Sequence, residues 1–203
     1  MIKDSQVKEI LKSQLNFSYK SIHKLEEFVE ALLDYNKQYN LIAKSTESDV
    51  WNRHVLDSAQ LVKYIDFHKP GSLADLGSGG GFPGLVLGIY NENLKFHVKL
   101  YEKSPVKCDF LSNFAQNENI EIIKGDVNNY NLENKYIVSR AFKKLPEILR
   151  FSRENVKKGH KLIVLKGKSA QDEINKALKY YKFDYKLERS ITDKDSKIIV
   201  VNF

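Results

Sequence analysis

Asp75-Leu76-Gly77-Ser78-Gly79-Gly80-Gly81 begins at the end of the short strand-like run 72–76 and is followed by Phe82-Pro83-Gly84 and the apolar stretch 85–90. A strand, a glycine-rich turn and a helix in that order form the first βα turn of a Rossmann-like sheet. Four glycines in five residues remove side chains where the chain bends sharply and where a ligand lies against the backbone. In open α/β sheets ligands bind at the carboxyl ends of the strands, which is where this turn sits. Asp75, at the strand end, can hold the turn through backbone N–H groups or accept a hydrogen bond from the ammonium of a methionyl ligand.

Two ligand classes compete for such a turn. Gly79-Gly80-Gly81-Phe82-Pro83-Gly84 satisfies G-x-G-x-x-G, the dinucleotide pattern. Those glycines begin two residues late for a strand ending at Leu76, and Pro83 removes a backbone donor where a pyrophosphate needs one. An acid followed by Gly77, Gly79 and Gly81, in register with the strand end, suits S-adenosylmethionine better. Ser78 and Phe82 complete the expected contacts of the turn. Glu102 ends the next strand, 21 residues after Gly81, where an acid reaches the ribose hydroxyls of any adenosine-containing ligand. Gly125-Asp126-Val127-Asn128 follows the third strand, where an adenine ring would rest, so Val127 and Asn128 are placed at its edge.

Outward from the turn, helical periodicity covers 5–15, 21–42 and 47–65, the last with Trp51, Val55, Leu56, Leu61 and Val62 facing inward. After Pro70-Gly71 the pattern changes to strands near 72–76, 96–101, 120–123, 136–138, 161–165, 183–189 and 197–203. Helices are expected at 85–90, 106–115, 144–155 and 170–180. Alternation at this spacing predicts a mostly parallel seven-stranded sheet. The polar turn 190–196 leaves no room for a crossover helix, so the last two strands are antiparallel. That ending belongs to class I methyltransferases of the Rossmann-like α/β class. The expected organisation is an N-terminal helical extension, 1–68, packed on a cofactor-binding core, 69–203.

The single cysteine, Cys108, excludes an intrachain disulfide or a cysteine-based zinc site, and no metal is expected. No apolar run approaches the roughly 20 residues that span a bilayer. The first residues lack a basic segment followed by an apolar one, so a cytoplasmic protein without membrane association is expected. The net charge of +7 is uneven: residues 135–189 carry 16 Lys/Arg against 6 Asp/Glu. Clustered positive charge is the footprint of a polyanion.

Five segments resemble the bacterial small-subunit (16S) rRNA guanine-N7 methyltransferases, the glucose-inhibited division protein B family, in family order. They are Tyr39-Asn40-Leu41, Arg53-His54-Val55-Leu56-Asp57-Ser58, Asp75 through Gly84, Ser139-Arg140-Ala141-Phe142 and Leu165-Lys166-Gly167. The Arg-His and Ser-Arg-Ala segments are more specific than the glycine turn. The resemblance implies S-adenosyl-L-methionine as cofactor and 16S rRNA or the small ribosomal subunit as partner; a monomer is the default expectation. It also implies cofactor contacts at Gly77, Phe82, Val127, Asn128 and Arg140. One departure is Asn128, which stands where the family commonly has Glu.

Guanine N7 has a lone pair and no proton, so its methylation requires alignment rather than a general base. Arg140 and Lys166 end adjacent central strands and are the candidate guanine-positioning residues. Lys143, Lys144, Arg150, Arg153 and Lys168 would meet the phosphate backbone. His54 invites a catalytic reading. With Arg53 and Asp57 four residues apart on one helix face, the set reads instead as a brace between the N-terminal helices and the core. Two rivals remain. A small-molecule methyltransferase would gain nothing from the basic stretch, and an RNA-binding protein with a vestigial pocket has no need of an intact turn.

Overall fold

The computed structural model describes residues 2–115, 119–157 and 159–203. Seven strands form one sheet: β1 (Gly71–Leu76), β2 (Phe96–Glu102), β3 (Ile120–Lys124), β4 (Tyr136–Arg140), β5 (Lys161–Lys166), β6 (Tyr185–Arg189) and β7 (Lys197–Asn202). Their order is β3-β2-β1-β4-β5-β7-β6, and only the pairings of β7, with β5 and β6, are antiparallel. The expected closing hairpin is therefore present, with β7 inserted between β5 and β6. Parallel β1, β2, β4 and β5 all present their carboxyl ends at one edge.

The side-chain alternation of the strands sorts the core into two layers. Leu73, Val98, Leu100, Val138, Ile163, Leu165, Ile198 and Val200 face one side. There they share a cluster with the helices α1 (Asp4–Leu15), α2 (Tyr19–Asn36), α4 (Gly84–Tyr90) and α5 (Pro105–Ser112). Ala74, Leu76, Ile137, Leu162, Val164, Ile199 and Val201 face the other side, against α6 (Leu145–Asn155) and α7 (Ala170–Leu178). On α7 the buried residues Ala170, Ile174 and Ala177 recur at helical spacing. Each fully buried Leu, Ile or Val side chain of these layers contributes roughly 1.5–3 kcal/mol.

Two expectations for the N-terminal region need correction. The helix expected over 21–42 ends at Asn36. The Asn36 carboxamide takes over the following backbone: Oδ1 accepts from Leu41 N at 2.7 Å and Ile42 N at 3.0 Å, and Nδ2 donates to Ile42 O at 3.2 Å. An Asn side chain that satisfies local backbone groups competes with helix continuation. The helix expected over 47–65 is a series of short pieces: a 3-10 turn (Lys44–Asp49), a π-helical turn (Trp51–Leu56), α3 (Asp57–Ala59) and a second 3-10 turn (Gln60–Tyr64). Trp51, Val55, Leu56 and Leu61 are buried as expected, with Val62 only partly so.

Candidate active site

The glycine turn is held from below and behind by two carboxylates. Asp75 is completely buried, and its Oδ2 accepts a hydrogen bond from Gly84 N at 2.9 Å while Oδ1 has no hydrogen-bond partner among the described residues. The bond to Gly84 is the turn-bracing role expected of Asp75. Glu102 Oε2 accepts from Gly79 N at 2.9 Å and Oε1 from Ser104 N at 2.8 Å. Gly77, Gly79 and Gly81 all have positive φ, at 72°, 59° and 103°. Only glycine adopts such angles without strain, which explains their place in the sequence.

Above the turn lies a cavity of about 560 Å³. Gly77, Ser78, Gly79, Gly80 and Phe82 form its floor. Tyr101, Glu102, Lys103 and Lys107 form one wall, and Gly125, Asp126, Val127 and Asn128 another. Arg140, Ala141, Phe142 and Lys143 close the third side, and Leu41 contributes from the turn that Asn36 creates. Asp75 and Gly81 do not line it. Gly81 instead packs among Phe28, Leu85 and Leu111. Asp126 is the N-cap of a 3-10 turn, accepting from Asn128 N at 2.9 Å. Tyr101, Lys103 and Lys107 were not singled out from the sequence, whereas Leu41 belongs to one of the family segments; for Tyr101 and Lys103 the signal was adjacency to the strand-end acid Glu102.

A second, smaller cavity of about 300 Å³ adjoins the first and shares Arg140 and Ala141 with it. Asp57, Leu165, Lys166, Gly167, Glu173 and Ser196 complete its lining. Lys166 therefore faces this cavity and not the larger one. Its Nζ donates to Lys143 O at 2.6 Å and pairs with Glu173 at 2.9 Å. Ala141 has φ +51°, a left-handed conformation unfavourable for a residue with a Cβ. This kink follows the end of β4, and Phe142 lies against Gly77.

Arg140 is the hub of the site. NH1 donates to Arg53 O at 3.0 Å, NH2 lies 2.6 Å from His54 Nδ1, and the guanidinium sits 5.0 Å from the centre of the Phe82 ring. Burial, with the charges of Arg140 and then Arg53 beside it, pushes the His54 imidazole down to about 3. The ring is thus neutral. Its Nδ1 accepts from Arg140, which fixes the proton on Nε2, where it is donated to Thr46 Oγ1 at 2.8 Å. The Arg53–Asp57 pair expected from their spacing does not form. Asp57 has Arg140 as its cation, at 3.7 Å, because the guanidinium reaches over from β4. Its Oδ1 is occupied by Gln60 Nε2 at 2.9 Å, Thr192 Oγ1 at 3.0 Å and Ser190 Oγ at 3.3 Å. Burial raises the Asp57 carboxyl, and Arg140 opposes that shift.

Asp75 and His54 make opposite contributions to stability. Burial lifts Asp75 from 3.8 to about 7, so the stability it contributes is fully present below pH 3.8 and is lost as pH rises to 7. For His54 the folded value is depressed, so its contribution is present above 6.5 and lost as pH falls towards 3. Each is worth on the order of 4 kcal/mol over its window. Urea titrations of Asp75→Asn against the unmodified protein should show the variant gaining relative stability steadily from pH 4 to pH 7. A difference independent of pH would mean that Asp75 is not ionised in the unfolded state alone.

Comparison with known proteins decides the family. The GidB family, described as rRNA small subunit methyltransferase G, matches residues 21–199. The chain belongs to the GidB family. Among GidB relatives, the rRNA small subunit methyltransferase G of Orientia tsutsugamushi (strain Ikeda) is 37% identical over 198 residues, 97% of this chain and 98% of that protein. The Rickettsia felis protein of the same name is 38% identical over 183 residues, 89% and 93% of the two chains. A solved O-methyltransferase from Bacillus cereus, in complex with SAH, superposes with a TM-score of 0.61 at 12% identity, over 98% of this chain and 97% of that one. It shares the class I methyltransferase fold. All five GidB-like segments contribute to the two cavities: Leu41, Asp57, residues 77–80 and 82 of the turn, Arg140 to Phe142, and Leu165 to Gly167.

Proposed function

We propose that this chain transfers a methyl group from S-adenosylmethionine to N7 of a guanine in 16S rRNA, in the cytoplasm and as a monomer. The convergence of the five segments on two cavities joined at Arg140 is the observation that carries the reading.

The residues of the larger cavity suit S-adenosylmethionine. A Cβ at Gly77 would lie 2.5 Å from Phe142 Cδ2, so the floor of the cradle is necessarily free of side chains. The volume falls within the range of small-molecule sites. In this reading the backbone of Gly77, Ser78 and Gly79 meets the methionyl moiety, with Phe82 and Arg140 closing that end. Glu102 takes the ribose hydroxyls, and Val127 and Asn128 border the adenine. Asp75 and Gly81 preserve the shape of the turn. Residues 1–68 act as an extension packed on the cofactor-binding core.

When bound, S-adenosylmethionine supplies an electrophilic methyl group. The chain supplies alignment. N7 carries no proton, so no side chain has to remove one, consistent with a His54 lone pair already committed to Arg140. Holding nucleophile and electrophile in line is worth roughly 7–11 kcal/mol in favourable cases. Arg140 and Lys166 have donors left for guanine O6.

Tritiated S-adenosylmethionine, incubated with small subunits and naked rRNA lacking the modification, should label one guanine. Replacement of that guanine by 7-deazaguanine should abolish labelling. No label in any RNA overturns the function, and label surviving the deaza substitution overturns N7 as acceptor.

The exposed cations on and beside α6 are read as the phosphate contact. Lys144, Arg150 and Lys168 are all exposed. Their combined replacement by glutamine should weaken RNA binding and reduce the slope of log K against log salt by about 2, since each lost phosphate contact removes roughly 0.7–0.9. An unchanged slope in filter-binding titrations would leave this surface merely solvated.

A further inference from the structure

The smaller cavity contains a carboxylate that the methyl-transfer chemistry does not use. Asp57 Oδ1 is fully engaged by Gln60, Ser190 and Thr192, which ties the loop between β6 and β7 to α3. Oδ2 faces the Arg140 guanidinium, its ion-pair partner, and no other donor bonds it among the described residues. Arg140 NH1 lies 3.7 Å away. Asp57 lines the cavity with its side chain only 15% exposed. The other acid there, Glu173, is satisfied by Lys166 at 2.9 Å, Leu145 N at 2.7 Å and Ser169 Oγ at 3.1 Å. The cavity thus offers the Asp57 carboxylate as a charged acceptor beside the remaining donors of Arg140 and Lys166.

That pattern complements one nucleobase. Adenine also has an N7 lone pair, so selection of guanine cannot rest on N7. It must rest on O6, which accepts, and on the 2-amino group, which donates and which adenine lacks. The volume of about 300 Å³ gives room for a single base, and the shared wall at Arg140 and Ala141 turns one edge of that base towards the larger cavity. We propose that the smaller cavity holds the target guanine and that Asp57 Oδ2 accepts a hydrogen bond from its 2-amino group, while Arg140 and Lys166 donate towards O6. This assignment rests on methyl transfer to guanine N7 as read above. Asp57 is then the residue that selects the base, separate from those that hold the cofactor.

The test pairs a substrate change with an enzyme change. Small subunits are reconstituted with rRNA carrying either guanine or inosine at the labelled position; inosine keeps O6 and N7 and loses only the 2-amino group. The unmodified enzyme should methylate the inosine substrate about 10- to 100-fold more slowly, the usual effect of leaving a charged acceptor unpaired. This measurement requires no variant to fold. In Asp57→Asn the amide oxygen must face the three donors at the Oδ1 position, which leaves NH2 facing the 2-amino group. That variant should lose activity on guanine and bring the guanine-to-inosine ratio within about threefold of unity. Its affinity for S-adenosylmethionine by calorimetry should stay within about twofold, because Asp57 does not line the larger cavity. Equal rates on the two substrates with the unmodified enzyme would overturn the assignment while leaving the methyl-transfer reading intact, as would full discrimination retained by Asp57→Asn. Failure to label the guanine substrate at all would overturn both.

Discussion

Replacement of Arg140 by alanine should lower kcat/KM for rRNA methylation by about 1,000-fold, the upper end of what loss of one preorganised donor costs. Four contacts disappear together: the bonds to Arg53 O and His54 Nδ1, the face of Phe82, and the charge opposite Asp57. Asp57 is then a buried carboxylate without its cation, a loss that typically costs about 3–5 kcal/mol of stability. Melting temperature should fall accordingly. Arg140→Lys restores the charge, but an ammonium cannot serve the Arg53 carbonyl and the imidazole as a planar fork while stacking on Phe82. It should recover stability better than activity. A spectroscopic signature accompanies the alanine variant. The His54 imidazole is held near 3 first by burial and next by Arg140, so without Arg140 its titration should move up from about 3 towards 6.5. An alanine variant with unaltered kcat/KM, or a His54 titration that stays in place, would remove Arg140 from the centre of the site.

The hub explains what could and could not be seen in the sequence. The sheet was legible because its inner strands have apolar centres, and the glycine turn because its φ values disfavour other residues. Glu102 was legible by spacing, yet its bonds to Gly79 N and Ser104 N have no sequence signature. Helical periodicity carried α2 past Asn36 because periodicity records apolar spacing, whereas the helix ends through a carboxamide that binds backbone five and six residues on. Local spacing likewise paired Asp57 with Arg53. The real partner, Arg140, is 83 residues further along the chain and reaches Asp57 only because β4 ends beside α3. Resemblance brought the five segments together as a family pattern, but it did not indicate that they divide between two cavities. That division assigns Lys166 and Asp57 to one side of Arg140, and the glycine turn and Glu102 to the other.

Two glycines of the same turn should fail in different ways. A Cβ at Gly84 would lie 2.3 Å from Leu100 Cδ2, 2.5 Å from Asp75 Oδ2 and 2.6 Å from Asp75 Cβ, and Gly84 is buried. None of these neighbours can retreat: Leu100 and Asp75 lie side by side on paired strands and are fully buried. Overpacking of this kind costs about 1–3 kcal/mol, and loss of the Gly84 N–H bond to Asp75 adds about 1.5–3 kcal/mol. At roughly 2–4 °C per kcal/mol for a chain of this size, Gly84→Ala should lower the melting temperature by about 10 °C or more, with or without ligand. Gly77 is the opposite case. Its φ of 72° adds a strain of roughly 1–2 kcal/mol for any larger residue, and a new side chain projects towards Phe142 at the margin of the cavity. Gly77→Asp should therefore lose stability through this strain and the 2.5 Å approach of its Cβ to Phe142 Cδ2, while calorimetry shows S-adenosylmethionine affinity reduced at least about 100-fold from lost space at the margin of the cavity. If Gly77→Asp bound the cofactor normally, the cradle would lie elsewhere. If Gly84→Ala melted like the parent, Asp75 would not be the brace that keeps this turn in register with its strand.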